Sequence, residues 1–157
     1  MTDTEDDNGP GARLQPPVIY GISILCGIAL HKLHAVPMPF GLGNHLYGYL
    51  IIACALPFAL WTLREFHRAG TDVRTDTPDD VLLTGGPYRF TRNPLYIVLT
   101  LIQITAAIWL DTLWILLLVP ASVIFITFYS IRREERYLEK VFGHDYLDYK
   151  RRVRRWL

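Results

Sequence analysis

Two short stretches of this chain carry the side chains able to do chemistry. Residues 82–96, LLTGGPYRFTRNPLY, set Tyr88, Arg89, Arg92, Asn93 and Tyr96 along a polar, basic, turn-rich segment. Further on, residues 132–156 open with the paired carboxylates Glu134 and Glu135 and run through FGHDYLDYKRRV. A polar segment that re-enters an apolar span beside a charged tail builds a site at a membrane surface. Gly85-Gly86-Pro87 reads as a turn, the glycines allowing positive φ and Pro87 fixing the chain beyond them. Asn93-Pro94 reads as a helix start, with Asn capping free N–H groups and Pro suited to the first helical position. Tyr96 then falls in the first helical turn, with Arg89 and Arg92 just outside it at headgroup depth. On spacing alone the Arg-Asn-Pro element serves equally as an interfacial anchor with a cap or as part of a site. Glu134 and Glu135 likewise fit either a ligand role or salt bridges to Arg132, Arg133 and Arg136.

Other chemistries find no support. No catalytic triad is visible. Cys26 and Cys54 lie inside apolar spans without CxxC spacing, which reads as buried, inert thiols. His31 and His34 stand one turn apart with no carboxylate beside them, so interfacial polar residues are expected and no metal.

The elements that must position these groups are long and apolar. The 157 residues are 51% hydrophobic yet 20% charged, so polarity has to be segregated. Apolar spans cover about 18–36, 46–63, 95–110 and 112–131. A bilayer-crossing helix needs roughly 17–25 such residues, which the second and fourth supply comfortably and the first and third barely. Spans apolar all round do not suit a soluble bundle. Of the 16 Lys and Arg, all but Lys32 lie before the first span, between the second and third, or after the fourth. By the positive-inside rule this predicts four transmembrane helices with both termini and the 64–92 loop cytoplasmic. Trp61, Trp109 and Trp114 fall near span ends, as interfacial aromatics do.

The expected architecture is therefore an all-α, polytopic membrane protein. An acidic tail, residues 1–16, is expected to be disordered, and lacks the basic region of a cleaved signal. Residues 17–157 form one membrane domain that ends in amphipathic cytosolic helices over 132–157. There Leu138, Val141 and Phe142 make one apolar patch. Past a break at Gly143, Asp145 is placed to cap a second helix with Tyr146, Tyr149, Val153 and Trp156 on one face. Lys150, Arg151, Arg152, Arg154 and Arg155 occupy its other face, which suits an anionic leaflet better than a nucleic acid. The lipid bilayer is the expected partner.

The 82–96 motif, two closely spaced helices, the Glu pair and FGHDYLDYKRRV together resemble the isoprenylcysteine carboxyl methyltransferase family, which groups with the membrane phospholipid N-methyltransferases. The likeness runs over residues 66–153, and FHRAGT at 66–71 resembles the family's glycine-bearing segment. It implies S-adenosylmethionine as methyl donor, held between the loop, the start of the third span and the C-terminal segment. Carried over by position, it implies cofactor contacts at Val81, Leu82, Leu83, Tyr88, Asn93, Pro94, Tyr96 and Glu134. Asn93 replaces the commoner histidine, as in the phospholipid branch. The family's substrate arginine falls on Tyr129 or Ser130, with Arg132 and Arg133 only nearby, which points to a small lipophilic or lipid acceptor other than prenylcysteine. Glu135, Arg132 and Arg133 are the catalytic candidates. In-line methyl transfer needs mainly alignment and exclusion of water. Two alternatives are an NADPH-dependent sterol-type reductase, whose acidic motif differs from EERYLEKVFG, and a nonenzymatic membrane scaffold.

Overall fold

The fold is that of a computed structural model, which describes residues 14–70 and 81–157. The acidic tail before residue 14 and the 71–80 part of the loop lie outside the described residues. Among the described residues all regular structure is helical. The helices are α1 (Pro16–Leu33), α2 (His45–Ala69), α3 (Pro94–Trp109), α4 (Leu113–Ile126) and α5 (Arg132–Arg152). A π-helical turn, Thr127–Ile131, joins α4 to α5 without a break in the rod. Three stretches are long and apolar enough to cross a membrane: Pro16–Leu33, His45–Ala69 and Leu113–Arg152. α3 is apolar but has 16 residues. At 1.5 Å per residue that is about 24 Å, short of a hydrocarbon core of about 30 Å.

Local chemistry explains most boundaries. Pro16 and Pro94 open α1 and α3, where a missing N–H costs nothing. Asn44 caps α2 by accepting the Leu46 N–H at 2.9 Å. The helices pack as α2 on α3 and α1 on α4, with α3 also against α4 and α1. At Gly27 of α1, an added Cβ would lie 2.5 Å from Ile115 Cγ1 and 3.0 Å from the Ile115 backbone, so only hydrogen there permits the α1–α4 approach.

Polarity is arranged as a bilayer demands. Ile22, Leu25, Leu50, Leu56, Leu60, Leu117, Ile124 and Phe125 are exposed, while Gln103, Thr105 and Ser122 are buried. Gln103 donates to Ser23 Oγ at 2.9 Å, and Ser122 Oγ pairs with the same hydroxyl at 2.8 Å. Tyr20 and Thr100 hydroxyls meet at 2.9 Å. Hydroxyls and amides joining the helices from inside, with leucines outside, match membrane helix packing and oppose a water-soluble bundle.

Several expectations need correction. α1 ends at Leu33 rather than 36, and α2 continues six residues beyond 63, carrying Arg64 and Arg68 on its last turns. Cys26 and Cys54 are free but exposed on outward helix faces, not buried. The C-terminal segment is one helix bent at Gly143 (φ 51°, ψ −119°), a conformation open to glycine, and it ends at Arg152. Val153 and Trp156 are thus not on a helix face. Trp156 packs against a buried cluster of Ile19, Tyr20, Tyr96, Ile126 and Ile131.

Candidate functional site

At one end of the helical bundle, a cavity of about 420 Å³ opens between the N-terminus of α1, the end of α2, the 81–94 loop, the first turns of α3, and α5. The loop reaches it through a 3₁₀ turn, Gly86–Arg89, in which Gly86 has φ +54°. A side chain at Gly86 would also strike Glu65, with its Cβ 2.5 Å from Glu65 Cγ. Beyond this turn Tyr88 meets Phe66 edge to face at 6.0 Å, and the Tyr149 hydroxyl donates to the Tyr88 carbonyl at 2.8 Å. The loop is therefore held from α2 on one side and from α5 on the other.

The polar wall comes from α3 and α5. Tyr96, in the first turn of α3, donates its hydroxyl to Glu134 Oε1. Glu135, one residue on, is buried and accepts two hydrogen bonds from Arg155, at 2.9 and 2.7 Å. Arg92 Nη1 stands 2.9 Å from the same carboxylate. Burial alone would push the Glu135 carboxyl up, but the Arg155 hydrogen bonds and the charges of Arg92, Arg155 and Lys150 outweigh it and hold it below the usual range. The same contact raises Arg155. Tyr146 is pushed up to about 12, first by burial and then by the Glu135 charge, and burial also raises Tyr149. At neutral pH the wall thus presents ionised Glu135 and protonated Tyr146 and Tyr149. An ionised carboxylate gripped by two guanidiniums is a weak proton acceptor. Glu135, one of the catalytic candidates, is held in this structure as an ion-pair anchor.

Adjacent residues of a helix point about 100° apart, which lets the two glutamates divide their work, and the π-helical turn just ahead of α5 sets which way both face. An inserted residue rotates all that follows relative to α4, and such turns gather at functional sites. Here Glu134 meets Tyr96 of α3, while Glu135 meets Arg92 and Arg155.

The profile of the phospholipid methyltransferase family matches residues 44–145, well over half of the chain. The chain belongs to the phospholipid methyltransferase family. This match takes in α2 to α4, the cavity loop and both glutamates. A protein from Haemophilus influenzae described as uncharacterized is 41% identical over 63 residues, which is 40% of this chain and the whole of that relative. No solved structure matches.

The cavity of this methyltransferase family member collects the residues singled out from sequence. Val81, Leu82, Leu83, Tyr88, Asn93, Pro94, Tyr96 and Glu134 all line it, as does Glu135. Arg132 and Arg133 do not. Each is exposed and lies over a ring of the preceding turn, Arg132 4.0 Å from the Phe128 centroid and Arg133 5.0 Å from that of Tyr129. These are cation–π contacts, and Glu135 takes its ion pairs from Arg92 and Arg155. Arg92 is accordingly no headgroup anchor, since its side chain is 9% exposed. Asn93 makes no cap hydrogen bond to α3; its amide donates to the Arg155 carbonyl at 2.8 Å. The helix start survives on Pro94 alone. Sequence reading also passed over Phe66, Leu138, Tyr146 and Tyr149 as cavity residues. Buried aromatics look the same as lipid-facing ones in a string of letters. Among the described residues no group of His, Cys, Asp and Glu could hold a metal ion.

Proposed function

We propose that this protein is an integral membrane methyltransferase that binds S-adenosylmethionine in the cavity and methylates a small lipophilic or lipid acceptor. The observation that carries this reading is the convergence of the 81–96 loop and Glu134 on one cavity, within a chain of the phospholipid methyltransferase family. Its size falls within the roughly 300–1,000 Å³ of small-molecule sites. The residues fit the charged end of the cofactor. Arg92 has its Nη1 paired with Glu135 and keeps a buried Nε without a hydrogen-bond partner at the wall, a donor for a carboxylate, and Glu134 supplies a carboxylate for an ammonium. When bound, the cofactor supplies an activated sulfonium methyl group. The chain's own part is to hold the donor's polar end against Arg92 and Glu134, and to keep water out with Val98, Leu99 and Leu138. The same apolar wall suits the hydrocarbon part of an acceptor arriving from the bilayer.

The proposal includes four membrane crossings. α3 runs away from the cavity and ends at Trp109, whose indole donates to the His45 carbonyl at the start of α2 (3.3 Å). The Trp114 indole donates to the His34 carbonyl beyond α1 (2.8 Å), so all these ends gather opposite the site. Lys32 lies at that far end and the other described basic residues toward the cavity end. By the positive-inside rule this favours a cytosolic cavity with both termini cytosolic, and the membrane proposed is a bacterial or archaeal inner membrane.

Calorimetric titration of the purified protein with S-adenosylmethionine, and separately with NADPH, tests the cofactor. Binding of the first alone is expected; binding of NADPH alone overturns the reading. Methyl transfer from labelled cofactor to phosphatidylethanolamine, a farnesylcysteine analogue and simple thiols then identifies the acceptor.

A further inference from the structure

The residues after α5 fold back across the turn that precedes α3. The Arg92 N–H donates to the Arg154 carbonyl at 2.9 Å. The next carbonyl, that of Arg155, accepts from Thr91 Oγ1 at 3.1 Å and from Asn93 Nδ2 at 2.8 Å. Both lone pairs of that oxygen are thereby used. The Arg155 guanidinium then reaches Glu135 with two parallel bonds, and Trp156 enters the buried cluster around Tyr20 and Tyr96. These contacts close a ring. Asn93 holds the Arg155 backbone, the Arg155 side chain holds Glu135, the adjacent Glu134 accepts from Tyr96, and Tyr96 lies three residues beyond Asn93 on α3.

We propose that residues 153–157 are a strap that sets the acidic wall of the cavity, with Arg155 as the positioning residue that keeps Glu134 turned to the ligand. The inference rests on reading the cavity as the S-adenosylmethionine site. Arg155 is absent from the cavity lining, so it acts through Glu135 rather than by contact. The first turn of α5 has two tethers to α3, one direct through Tyr96 and Glu134 and one through the strap. A bidentate Arg–carboxylate pair fixes direction as well as distance, which a single ion contact does not. Without Arg155, Glu135 keeps its ion pair with Arg92 but loses the two-bond fork, and the α5 start is held to α3 by the Tyr96–Glu134 tether with less constraint on its rotation about the π-helical segment. Asn93 is a positioning residue in the same ring, since its amide is committed to the strap.

The test uses the full chain in detergent, comparing wild type, Arg155→Gln, Arg155→Lys, Glu135→Gln, the double variant Arg155→Gln/Glu135→Gln, and Arg151→Gln. Arg151 is an exposed strap neighbour whose ion pair among the described residues is with Asp148, and serves as the control. Calorimetry reads S-adenosylmethionine affinity, thermal unfolding reads stability, and hydrogen exchange reads the Arg92 amide. Arg155→Gln is expected to weaken affinity about ten- to a hundred-fold, the scale of a lost charged hydrogen bond. Arg155→Lys, with charge but no fork, should fall between. The double variant should be no weaker than the worse single one, because both remove one tether. Arg151→Gln should bind as wild type. The Arg92 amide should exchange slowly in wild type and quickly in Arg155→Gln. A lower melting temperature with wild-type affinity would reduce Arg155 to a structural residue and overturn the proposal. If wild type binds no S-adenosylmethionine, the cofactor reading fails on its own. The exchange data then judge the strap, and a fast Arg92 amide in wild type rejects it.

Discussion

Changing Glu135 to Gln keeps the shape of the side chain and removes its charge. The Glu135 and Arg92 side chains are 8% and 9% exposed, and that of Arg155 is 30% exposed. The substitution therefore strands one buried guanidinium and one half-buried one. Removing one partner of a buried pair costs about 3–5 kcal/mol, because the remaining charge is left without compensation. At roughly 2–4 °C per kcal/mol for chains of this size, the melting temperature should fall by about 6–20 °C. Tryptophan fluorescence during heating in a fixed detergent reads this directly. Asp148→Asn is the comparison, since its partner Arg151 is 76% exposed and such surface pairs contribute less than about 1 kcal/mol. Adding Arg92→Gln to Glu135→Gln should recover part of the loss by removing the stranded charge. The pH dependence has a definite sign. The folded pKa of Glu135 lies below its unfolded value, so its contribution is fully present above the ordinary carboxylate range and is lost as pH falls through the depressed folded pKa. Wild type and Glu135→Gln should differ at neutral pH and converge only in acid. A melting temperature within about 2 °C of wild type at neutral pH would refute the claim that this carboxylate neutralises two inward arginines.

Three further outcomes follow from the same structure. Glu134→Gln should weaken S-adenosylmethionine binding about ten- to a hundred-fold in calorimetry, whereas Asp145→Asn, exposed beyond the Gly143 bend, should leave it unchanged; equal effects would remove Glu134 from the ligand site. Gly27→Ala should destabilise by about 1–3 kcal/mol, seen as a lower melting temperature, because its Cβ overlaps Ile115; an unshifted transition would mean that α1 and α4 separate freely. In a variant lacking Cys26 and Cys54, single cysteines at Arg89 and Asn44 should label from opposite sides of sealed vesicles, and labelling of both from one side would reject the four-crossing topology.

Much of the architecture was written locally and could be read locally. Long apolar runs can exist as helices only where lipid or protein surrounds them, so the helices were visible from composition and Lys/Arg placement before any packing was known. Pro94 opens α3 because its fixed φ and missing N–H suit the first helical position, and the turn at Gly85-Gly86-Pro87 is likewise a property of three consecutive residues. The residues lining the cavity were singled out by the family resemblance, and their closeness in space has a local cause. Most of them lie within one short segment that has to turn and re-enter the bundle.

The pairing of charges was decided by tertiary structure. Arg132 and Arg133 are nearest to the glutamates along the chain, yet they lie over Phe128 and Tyr129, while Glu135 is held by Arg155, twenty residues away, and by Arg92 from before α3. Asn93 has the residue type of a helix cap, but a carbonyl 62 residues distant competes for its amide and takes it. Trp156 and Arg155 continue a basic, aromatic pattern that suits a leaflet surface, and the end of α5 at Arg152 instead turns them inward. Helix periodicity tells which residues share a face while the helix lasts. A cation near a membrane surface has two low-energy settings, a lipid headgroup and a buried carboxylate, and only the approach of α3, α5 and the chain end to one another determines which of them is within reach.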